Sequence, residues 1–303
     1  MTIRVAVAGA TGNLGPHIVN ALLAANYPIT ILTRHGSTNT SKIPNSANIT
    51  IKEVDFSSVD SLTAALEDVK VVVSALASES IGAQSPLIDA SIAAGVSRFL
   101  PSEFGSDTTN PKSAQLPVFK YKVETQRYLE AKAKENPSFS YTLVLNGAFL
   151  DWGLRAGFFI NLAKHSVTVF NGGDVKFSAT KLESIGKAVV GVVEHLDETK
   201  NRAVYIQDAL ITQNQLIQYA KEIDGKEWDI TPNETDKTLA EGIAALQNGP
   251  GANLHAVLVS FLFSAIFGEG YGGNFSDHLD NKLLGVKGVS DEEVKKLVGD
   301  SLS

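Results

Sequence analysis

The stretch Gly9-Ala10-Thr11-Gly12-Asn13-Leu14-Gly15 decides the fold of this chain. It follows a largely apolar run at residues 3–8 and leads into a segment in which Leu14, Ile18 and Leu22 share one helical face. The sequence therefore predicts a strand, a glycine turn and a helix in direct succession. The three glycines suit a sharp exit from the strand, access of backbone N–H groups to a pyrophosphate, and close packing of the helix on the sheet. The pattern predicts the start of a dinucleotide-binding domain.

Segments with strand and helix character alternate through the first half of the chain. This alternation predicts an α/β fold, a Rossmann-like, doubly wound parallel sheet with right-handed crossovers. We assign residues 1–150 to this dinucleotide-binding domain and 151–303 mainly to a smaller C-terminal substrate lobe, and we expect some later segments to return to the sheet. The strands of the first half are predicted at 29–33, 49–54, 71–75, 97–100 and 141–145, and its helices at 62–66, 86–94 and 115–134.

The second half has a different pattern, with fewer strands and longer helices. The apolar run at 256–267 is too short to span a bilayer, so we expect a buried helix or a pocket wall there. Strands are predicted near 167–170 and 203–206, and helices at 182–196, 213–223, 236–246, 252–267 and 291–297.

Composition excludes several classes of function. The 303 residues carry a net charge of −7 without a run of lysine or arginine, which argues against nucleic-acid and membrane partners. The absence of cysteine excludes disulfides, thiolate metal sites and a cysteine nucleophile. The six histidines lack the spacing of metal ligands, so we predict no metal. We expect a cytoplasmic protein that acts on a small molecule, and a homodimer is compatible with the sequence.

The end of the second predicted strand indicates which nicotinamide cofactor is bound. NAD-binding domains place a carboxylate there for the ribose 2′-hydroxyl, whereas this strand ends in Arg34-His35 and no acidic residue occurs before Glu53. A guanidinium can hold a 2′-phosphate by two charge-assisted hydrogen bonds. We therefore predict NADP(H) rather than NAD(H). The alternative is that Arg34 is an ordinary solvated loop residue.

Two lysines compete as the catalytic residue on the helix predicted at 115–134. Tyr128 and Lys132 form the Tyr-x-x-x-Lys pattern of short-chain dehydrogenases, whereas Lys122 has Val118 at the tyrosine position. On a helix the two lysines point about 80° apart, so both cannot be central to one site. The charged surroundings of Lys132 are typical of a solvated helix end and favour Lys122. The alternative for Lys122 is a side chain that packs on the helix and extends to water.

Three stretches together resemble a known family. They are residues 9–15, then Arg98-Phe99-Leu100-Pro101-Ser102-Glu103-Phe104-Gly105, then Phe119-Lys120-Tyr121-Lys122 with Arg127 and Glu130. Over about residues 2–240 the chain resembles the isoflavone reductase-like and NmrA-like branch of atypical short-chain dehydrogenases, which includes phenylcoumaran benzylic ether and pinoresinol–lariciresinol reductases. The resemblance implies an NADPH-dependent reductase in which one lysine, at the position of Lys122, replaces the tyrosine–lysine pair.

The resemblance also carries the family's cofactor contacts to this chain. After about residue 245 the chain departs from the plant enzymes. Gly249-Pro250-Gly251 and the glycine-rich stretch at 268–273 resemble fungal NmrA-like proteins instead. The resemblance therefore does not name the substrate. The implied cofactor-binding residues are Gly9, Thr11, Gly12, Asn13, Leu14, Gly15, Arg34, Ser74, Ala75, Leu76, Ser102, Glu103, Phe104, Lys122, Asn146, Gly147, Ala148 and Phe149.

These observations predict an NADPH-dependent reductase of a small aromatic or polyketide-like secondary metabolite. We expect hydride transfer to a conjugated carbon or a carbonyl, with Lys122 assisting at the oxygen and Glu103 outside the catalytic set. Two alternatives stay open, a non-catalytic dinucleotide sensor and an NADP-dependent isomerase or elimination enzyme. The following aromatic residues suit either a flat aromatic substrate or ordinary core packing: Trp152, Phe158, Phe159, Tyr271 and Phe275.

Overall fold

The computed structural model describes residues 3–77, 82, 84–247 and 253–302. The stretch Gly249-Pro250-Gly251 lies outside the described residues. Within them the strands are β1 (Val5–Ala8), β2 (Ile29–Arg34), β3 (Ile49–Val54), β4 (Val71–Ser74), β5 (Arg98–Leu100), β6 (Ser140–Leu145), β7 (Ala148–Phe149), β8 (Ser166–Phe170), β9 (Phe177–Thr180), β10 (Arg202–Tyr205), β11 (Ala209–Ile211) and β12 (Asp229–Asn233).

The helices alternate with these strands in the first half and become longer and more frequent in the second. They are α1 (Gly15–Ala24), α2 (Val59–Ala65), α3 (Ser85–Ala93), α4 (Lys120–Glu135), α5 (Leu150–Arg155), α6 (Leu182–Glu194), α7 (Gln213–Asp224), α8 (Thr235–Gln247), α9 (Leu254–Phe267) and α10 (Asp291–Leu302).

The central sheet has seven strands in the order β10-β6-β5-β4-β1-β2-β3. Every neighbouring pair in it is parallel. The order reverses between β1 and β4, which is the topological switch point of a doubly wound sheet. The predicted α/β Rossmann-like fold is therefore confirmed, and the glycine turn after β1 lies at the switch point.

Successive residues of β1 explain how both faces of the sheet are covered. Val5 and Val7 belong to a core cluster with α1 and α6, whereas Ala6 and Ala8 belong to another with α2, α3 and α4. All four are 0% exposed, as expected for a parallel strand between two helical layers. The later chain contributes to this unit as well, because α6 packs on α1 and β10 extends the sheet beyond β6.

The remaining segments form a second body with its own core. It contains a three-stranded sheet in the order β11-β9-β7 and the parallel pair β12-β8. The sequence did not predict β7, β9, β11 or β12. Strand β12 is mostly exposed and includes Pro232, so it lacks the alternating pattern by which a strand is recognised.

The predicted start of the helix at residue 115 is wrong. Leu116 is extended (φ −68°, ψ 130°), as is usual for a residue before proline, and two short 3₁₀ turns flank it at Ser113–Gln115 and Pro117–Phe119. Helix α4 therefore begins at Lys120. As a consequence Lys122 lies in the first turn of this helix and not in its second or third.

None of the described helices is both long and apolar enough to cross a membrane. In the same residues no group of three or more histidine, cysteine, aspartate or glutamate side chains is arranged to hold a metal ion.

Candidate functional site

The glycine turn between β1 and α1 uses its three glycines in different ways. Gly9 has a φ of +84°, and a Cβ added there would lie 2.3 Å from the carbonyl oxygen of Ala75. A Cβ at Gly15 would lie 2.2 Å from the carbonyl oxygen of Gly9. By contrast, a Cβ at Gly12 would meet no atom closer than 3.5 Å, and this residue is exposed. Gly9 and Gly15 therefore permit close internal packing, whereas Gly12 leaves space for a ligand to approach the backbone.

The N-terminus of α1 carries the positive partial charge of the helix dipole, and no carboxylate in the first turn neutralises it. Leu14 is its N-cap and provides no side-chain hydrogen bond, Pro16 follows in the first turn, and that turn has no acidic residue. The Leu14 side chain is buried in the core, whereas Asn13 is exposed and Thr11 is half-buried. The backbone and dipole of an uncapped helix N-terminus suit an anion such as a pyrophosphate.

Arg34 is the last residue of β2, the strand beside β1. Its side chain is exposed, and within the described residues no carboxylate forms an ion pair with it. Because β1 and β2 are parallel, Arg34 and the glycine turn emerge at the same edge of the sheet. The guanidinium is thus available to a second anionic group at this edge.

Two of the predicted cofactor-binding side chains instead connect the ends of β4 and β5. Ser74 Oγ lies 2.8 Å from Ser102 Oγ, and both side chains are buried. Ser102 Oγ also donates to the Ser74 carbonyl (2.9 Å) and accepts from the Leu76 N–H (2.9 Å). These hydroxyls stabilise the strand ends, and the residues between them, Ala75 and Leu76, are partly exposed.

Lys122 reaches from α4 to the loop that follows β5. Its ammonium donates to the main-chain carbonyl of Glu103, and Nζ lies 5.8 Å from the ring centre of Phe119. Burial lowers the pKa of Lys122, and the Glu103 carboxylate opposes that effect. Phe104, next in this loop, has a φ of +25°, which is strained for a bulky residue. The Lys122 amine and the loop after β5 therefore lie in contact at the carboxyl edge of the central sheet.

The end of β6 contributes a buried carboxamide. Asn146 is 0% exposed, its Nδ2 donates to the Gly147 carbonyl (2.9 Å), and its Oδ1 has no hydrogen-bond partner. The N–H groups of Asn146 and Gly147 donate to the Gly105 carbonyl at 3.2 and 3.0 Å, which joins β6 to the Lys122 loop. A buried oxygen without a partner carries a free-energy cost that a bound donor would remove.

A row of aromatic side chains leads away from this edge. The ring centres of Phe149 and Trp152 are 6.5 Å apart, those of Trp152 and Phe158 are 6.1 Å apart, and those of Phe158 and Phe263 are 5.3 Å apart. Phe158 and Phe263 line a cavity of about 400 Å³ together with Phe159 and Phe170. Helix α9, for which the sequence predicted either a buried helix or a pocket wall, supplies Phe263.

The glycine-rich stretch at 268–273 is hydrogen-bonded to the segment that follows β5. Asn110 Nδ2 donates to the Gly270 carbonyl (3.1 Å), and Ser113 Oγ donates to the Tyr271 carbonyl (2.6 Å). Phe275 is fully buried. Core packing is therefore the role of Phe275.

The Tyr-x-x-x-Lys pattern lies elsewhere on α4. The Tyr128 hydroxyl donates to Asp89 on α3 (2.7 Å), and Lys132 Nζ lies 3.1 Å from the same carboxylate. The sequence did not predict this ion pair, in which the side chains of Lys132 and Asp89 stay partly solvated. With a rise of 1.5 Å per residue, Lys132 is about 15 Å along the helix from Lys122.

Sequence reasoning did not single out two further polar residues at the site. Thr108 Oγ1 donates to Glu103 Oε2 (2.7 Å), and Gln126 Nε2 donates to Glu103 Oε1 (3.0 Å). Both side chains are buried. Gln126 lies one turn after Lys122, and this spacing was the only signal in the sequence that could have indicated it.

The fold and this site define a class of protein. A parallel sheet with a glycine turn at its switch point, an uncapped helix N-terminus and an exposed arginine at the next strand end is a dinucleotide-binding domain of the Rossmann class. The chain belongs to the NmrA-like family, whose family model matches residues 1–243.

Individual relatives agree with this assignment. Oxidoreductase poxI of Penicillium oxalicum is 31% identical over 302 residues, covering 97% of this chain and 93% of the relative. Pinoresinol reductase 1 of Arabidopsis thaliana is 32% identical over 253 residues, covering 75% and 76%. A solved structure, AtPrR2 with NADP+ and (+)pinoresinol, superposes with a TM-score of 0.80 at 27% identity, covering 98% and 99%. The predicted family and the predicted class, an NADP-dependent oxidoreductase, are thereby confirmed.

Proposed function

We propose that this protein uses NADPH to reduce a small aromatic secondary metabolite at a conjugated carbon or a carbonyl, with Lys122 acting at the substrate oxygen. One observation carries the proposal. The Lys122 amine lies at the carboxyl edge of the sheet beside the loop at 103–105, whereas the hydroxyl of Tyr128 is bound to Asp89 on α3. Of these two candidates, Lys122 is therefore the one available as a proton donor at this edge.

The residues of the site fit NADP(H). The open space at Gly12 and the uncapped N-terminus of α1 would hold the pyrophosphate, and Arg34 would hold the 2′-phosphate. At the other end of the site, Asn146 Oδ1 is a buried acceptor without a partner. When bound, NADPH supplies the hydride. AtPrR2, solved with NADP+, supports the same cofactor at this site.

Lys122 can stabilise negative charge at a substrate oxygen. An ammonium has three N–H donors, and one of them is used by the Glu103 carbonyl, which leaves two for other acceptors. Because the oxygen of a reduced carbonyl or enone gains negative charge, a fixed cation beside it lowers the barrier. Burial lowers the pKa of Lys122, which makes its ammonium a better proton donor near neutral pH.

The aromatic row from Phe149 to Phe263 supports an aromatic substrate. Its ring centres are 5.3 to 6.5 Å apart, the separation at which aromatic rings attract one another edge to face or tilted. The cavity of about 400 Å³ beyond it has a size typical of small-molecule sites. A relative named pinoresinol reductase and a neighbour solved with (+)pinoresinol support the same class.

The test is a reduction assay followed at the NADPH absorption band. The full chain is mixed with NADPH and a panel of aromatic ketones and enones, with aliphatic ketones of equal size as the control. We expect NADPH oxidation with aromatic members and little with aliphatic ones. Binding of NADPH without turnover of any member would instead indicate a sensor, and conversion of substrate without net NADPH loss would indicate an isomerase or elimination enzyme.

A further inference from the structure

Glu103, whose main-chain carbonyl binds the amine of Lys122, also places a carboxylate in the protein interior. The residue is 2% exposed. Its two oxygens accept hydrogen bonds from neutral groups, Oε2 from Thr108 Oγ1 and Oε1 from Gln126 Nε2. Gln126 Nε2 also donates to Thr108 Oγ1 (2.6 Å), which closes a triangle of three buried side chains. Within the described residues no cation forms an ion pair with this carboxylate at 4.0 Å or less.

Lys122 binds the same residue in a different way. Its ammonium donates to the main-chain carbonyl of Glu103 and not to the carboxylate. The carboxylate still acts on this ammonium through space. Thr108 and Gln126 thus hold the negative charge close to the amine without contact, so the amine keeps its remaining N–H donors.

We propose that Glu103 is the positioning residue of Lys122, with its main-chain carbonyl fixing the ammonium and its buried carboxylate serving as the counter-charge that keeps the ammonium cationic at the site. This inference rests on the proposed function, in which Lys122 acts on the substrate.

The chemistry of the site argues against a purely structural role for the charge. Glutamine at position 103 would fill nearly the same volume and could still hydrogen-bond to Thr108 and Gln126. A buried carboxylate costs far more to desolvate than a carboxamide unless a cation compensates it. The charge is therefore best explained by the Lys122 ammonium, which the main-chain carbonyl of the same residue holds. A direct ion pair would supply the charge as well, but it would occupy one of the ammonium donors.

The decisive experiment compares Glu103→Gln with a matched variant, Glu130→Gln, which removes an exposed carboxylate from the same helix as Lys122. Burial disfavours the ammonium and Glu103 favours it, so without Glu103 the amine should lose its proton at lower pH. For Glu103→Gln we expect the basic limb of the kcat–pH profile to move down by about one unit, so that kcat measured on that limb falls about tenfold. The KM for NADPH should stay within about twofold, and Glu130→Gln should match the wild type.

A second variant distinguishes the charge of Glu103 from the hydrogen bonds that hold its carboxylate in place. Gln126→Leu keeps the carboxylate and removes one of its two donors, so we expect a lower kcat without a downward movement of the basic limb. Circular dichroism and NADPH affinity verify that each variant is folded. A direct readout is the NMR titration of the Lys122 Cε signal, assigned by its absence in Lys122→Arg, which should move to lower pH in Glu103→Gln alone.

The outcomes distinguish this inference from the proposed function. A folded Glu103→Gln with unchanged pH profile and unchanged Lys122 titration would overturn the role of Glu103. Normal turnover in Lys122→Ala would instead overturn the proposed function, and the NMR titration would still decide whether Glu103 acts on the ammonium.

Discussion

The two ends of helix α4 carry the same side chain in opposite environments. Lys122, in the first turn, binds a main-chain carbonyl beside an aromatic ring, and burial lowers its pKa. Lys132, in the last turns, pairs with Asp89, and this carboxylate and Tyr128 raise its pKa. One amine is held in an environment that disfavours its charge, and the other in one that favours it. The second environment is that of a structural ion pair, and we propose that the first is that of a reactive group.

Chain connectivity explains which end of the helix is available to a ligand. Helix α4 follows β5 and precedes β6, and these two strands are parallel. The helix must therefore run back from the carboxyl edge of the sheet to the amino edge, so its first turn lies at the edge where doubly wound sheets bind ligands. A Tyr-x-x-x-Lys pattern in the last turns cannot reach that edge, however well the residues match.

Replacement of the two lysines should give the largest contrast. Lys122→Ala is expected to lower kcat by about 10²–10⁴-fold, because the proton donor at the substrate oxygen is lost, while NADPH affinity changes little. Lys132→Ala removes the same side chain from the same helix and should keep kcat within about twofold. Steady-state kinetics on the same aromatic substrate measure both. Equal losses in the two variants, or none in Lys122→Ala, would remove the distinction.

Much of this comparison could be predicted from the sequence, because its signals are local. The glycine turn, the apolar strand before it and the arginine at the end of β2 each occupy a few consecutive residues, and their periodicity predicts the element that forms. The preference for Lys122 over Lys132 likewise came from charged neighbours in sequence. Pro117 was a visible sign that the helix begins later than residue 115, since the residue before proline avoids the helical region.

The contacts of Glu103, the residue that binds Lys122, could not be predicted in the same way. Glu103 meets Gln126 across 23 positions of sequence, and the contact depends on how the loop after β5 folds against the first turns of α4. Neither residue has a periodic or compositional signal. The missed strands illustrate the same limit, because β7 and β11 are two and three residues long and exist only through pairing with β9.

Two exposed arginines, Arg34 and Arg127, allow a similar comparison for cofactor preference. Arg34→Asp places a carboxylate where we expect the 2′-phosphate, so the NADPH-over-NADH preference, measured as the ratio of kcat/KM values, should fall by about 10–100-fold. Arg127→Asp makes the same exchange at an exposed arginine in the middle of α4 and should leave this ratio unchanged. An unaltered ratio in both variants would place the 2′-phosphate elsewhere.

At the structural end of α4, substitution should affect stability and not catalysis. Asp89→Asn leaves Tyr128 and Lys132 without their charged acceptor, and we expect the free energy of unfolding to fall by about 1 kcal/mol. The kcat should remain within about twofold of the wild type. Urea unfolding and steady-state kinetics test the two halves of this expectation. A large loss of kcat would show that the α3–α4 contact also shapes the active site.

Lys122 and Lys132 should change the free energy of unfolding with pH in opposite directions. This is the smallest of the expected effects. The raised pKa of Lys132 means that its ion pair stabilises the fold below the unfolded-state value of about 10.4 and that this contribution is lost as pH rises through the higher folded-state value. The lowered pKa of Lys122 means that its buried charge destabilises the fold at low pH, and that this cost disappears as pH rises from the folded-state value towards about 10.4. Urea unfolding from pH 6 to 10 should therefore show that Lys132→Met is less stable than the wild type by a constant amount, well under about 1 kcal/mol for a partly solvated pair. Over the same range any advantage of Lys122→Met should shrink as pH rises, and parallel curves for the two variants would contradict the opposite environments of the two amines.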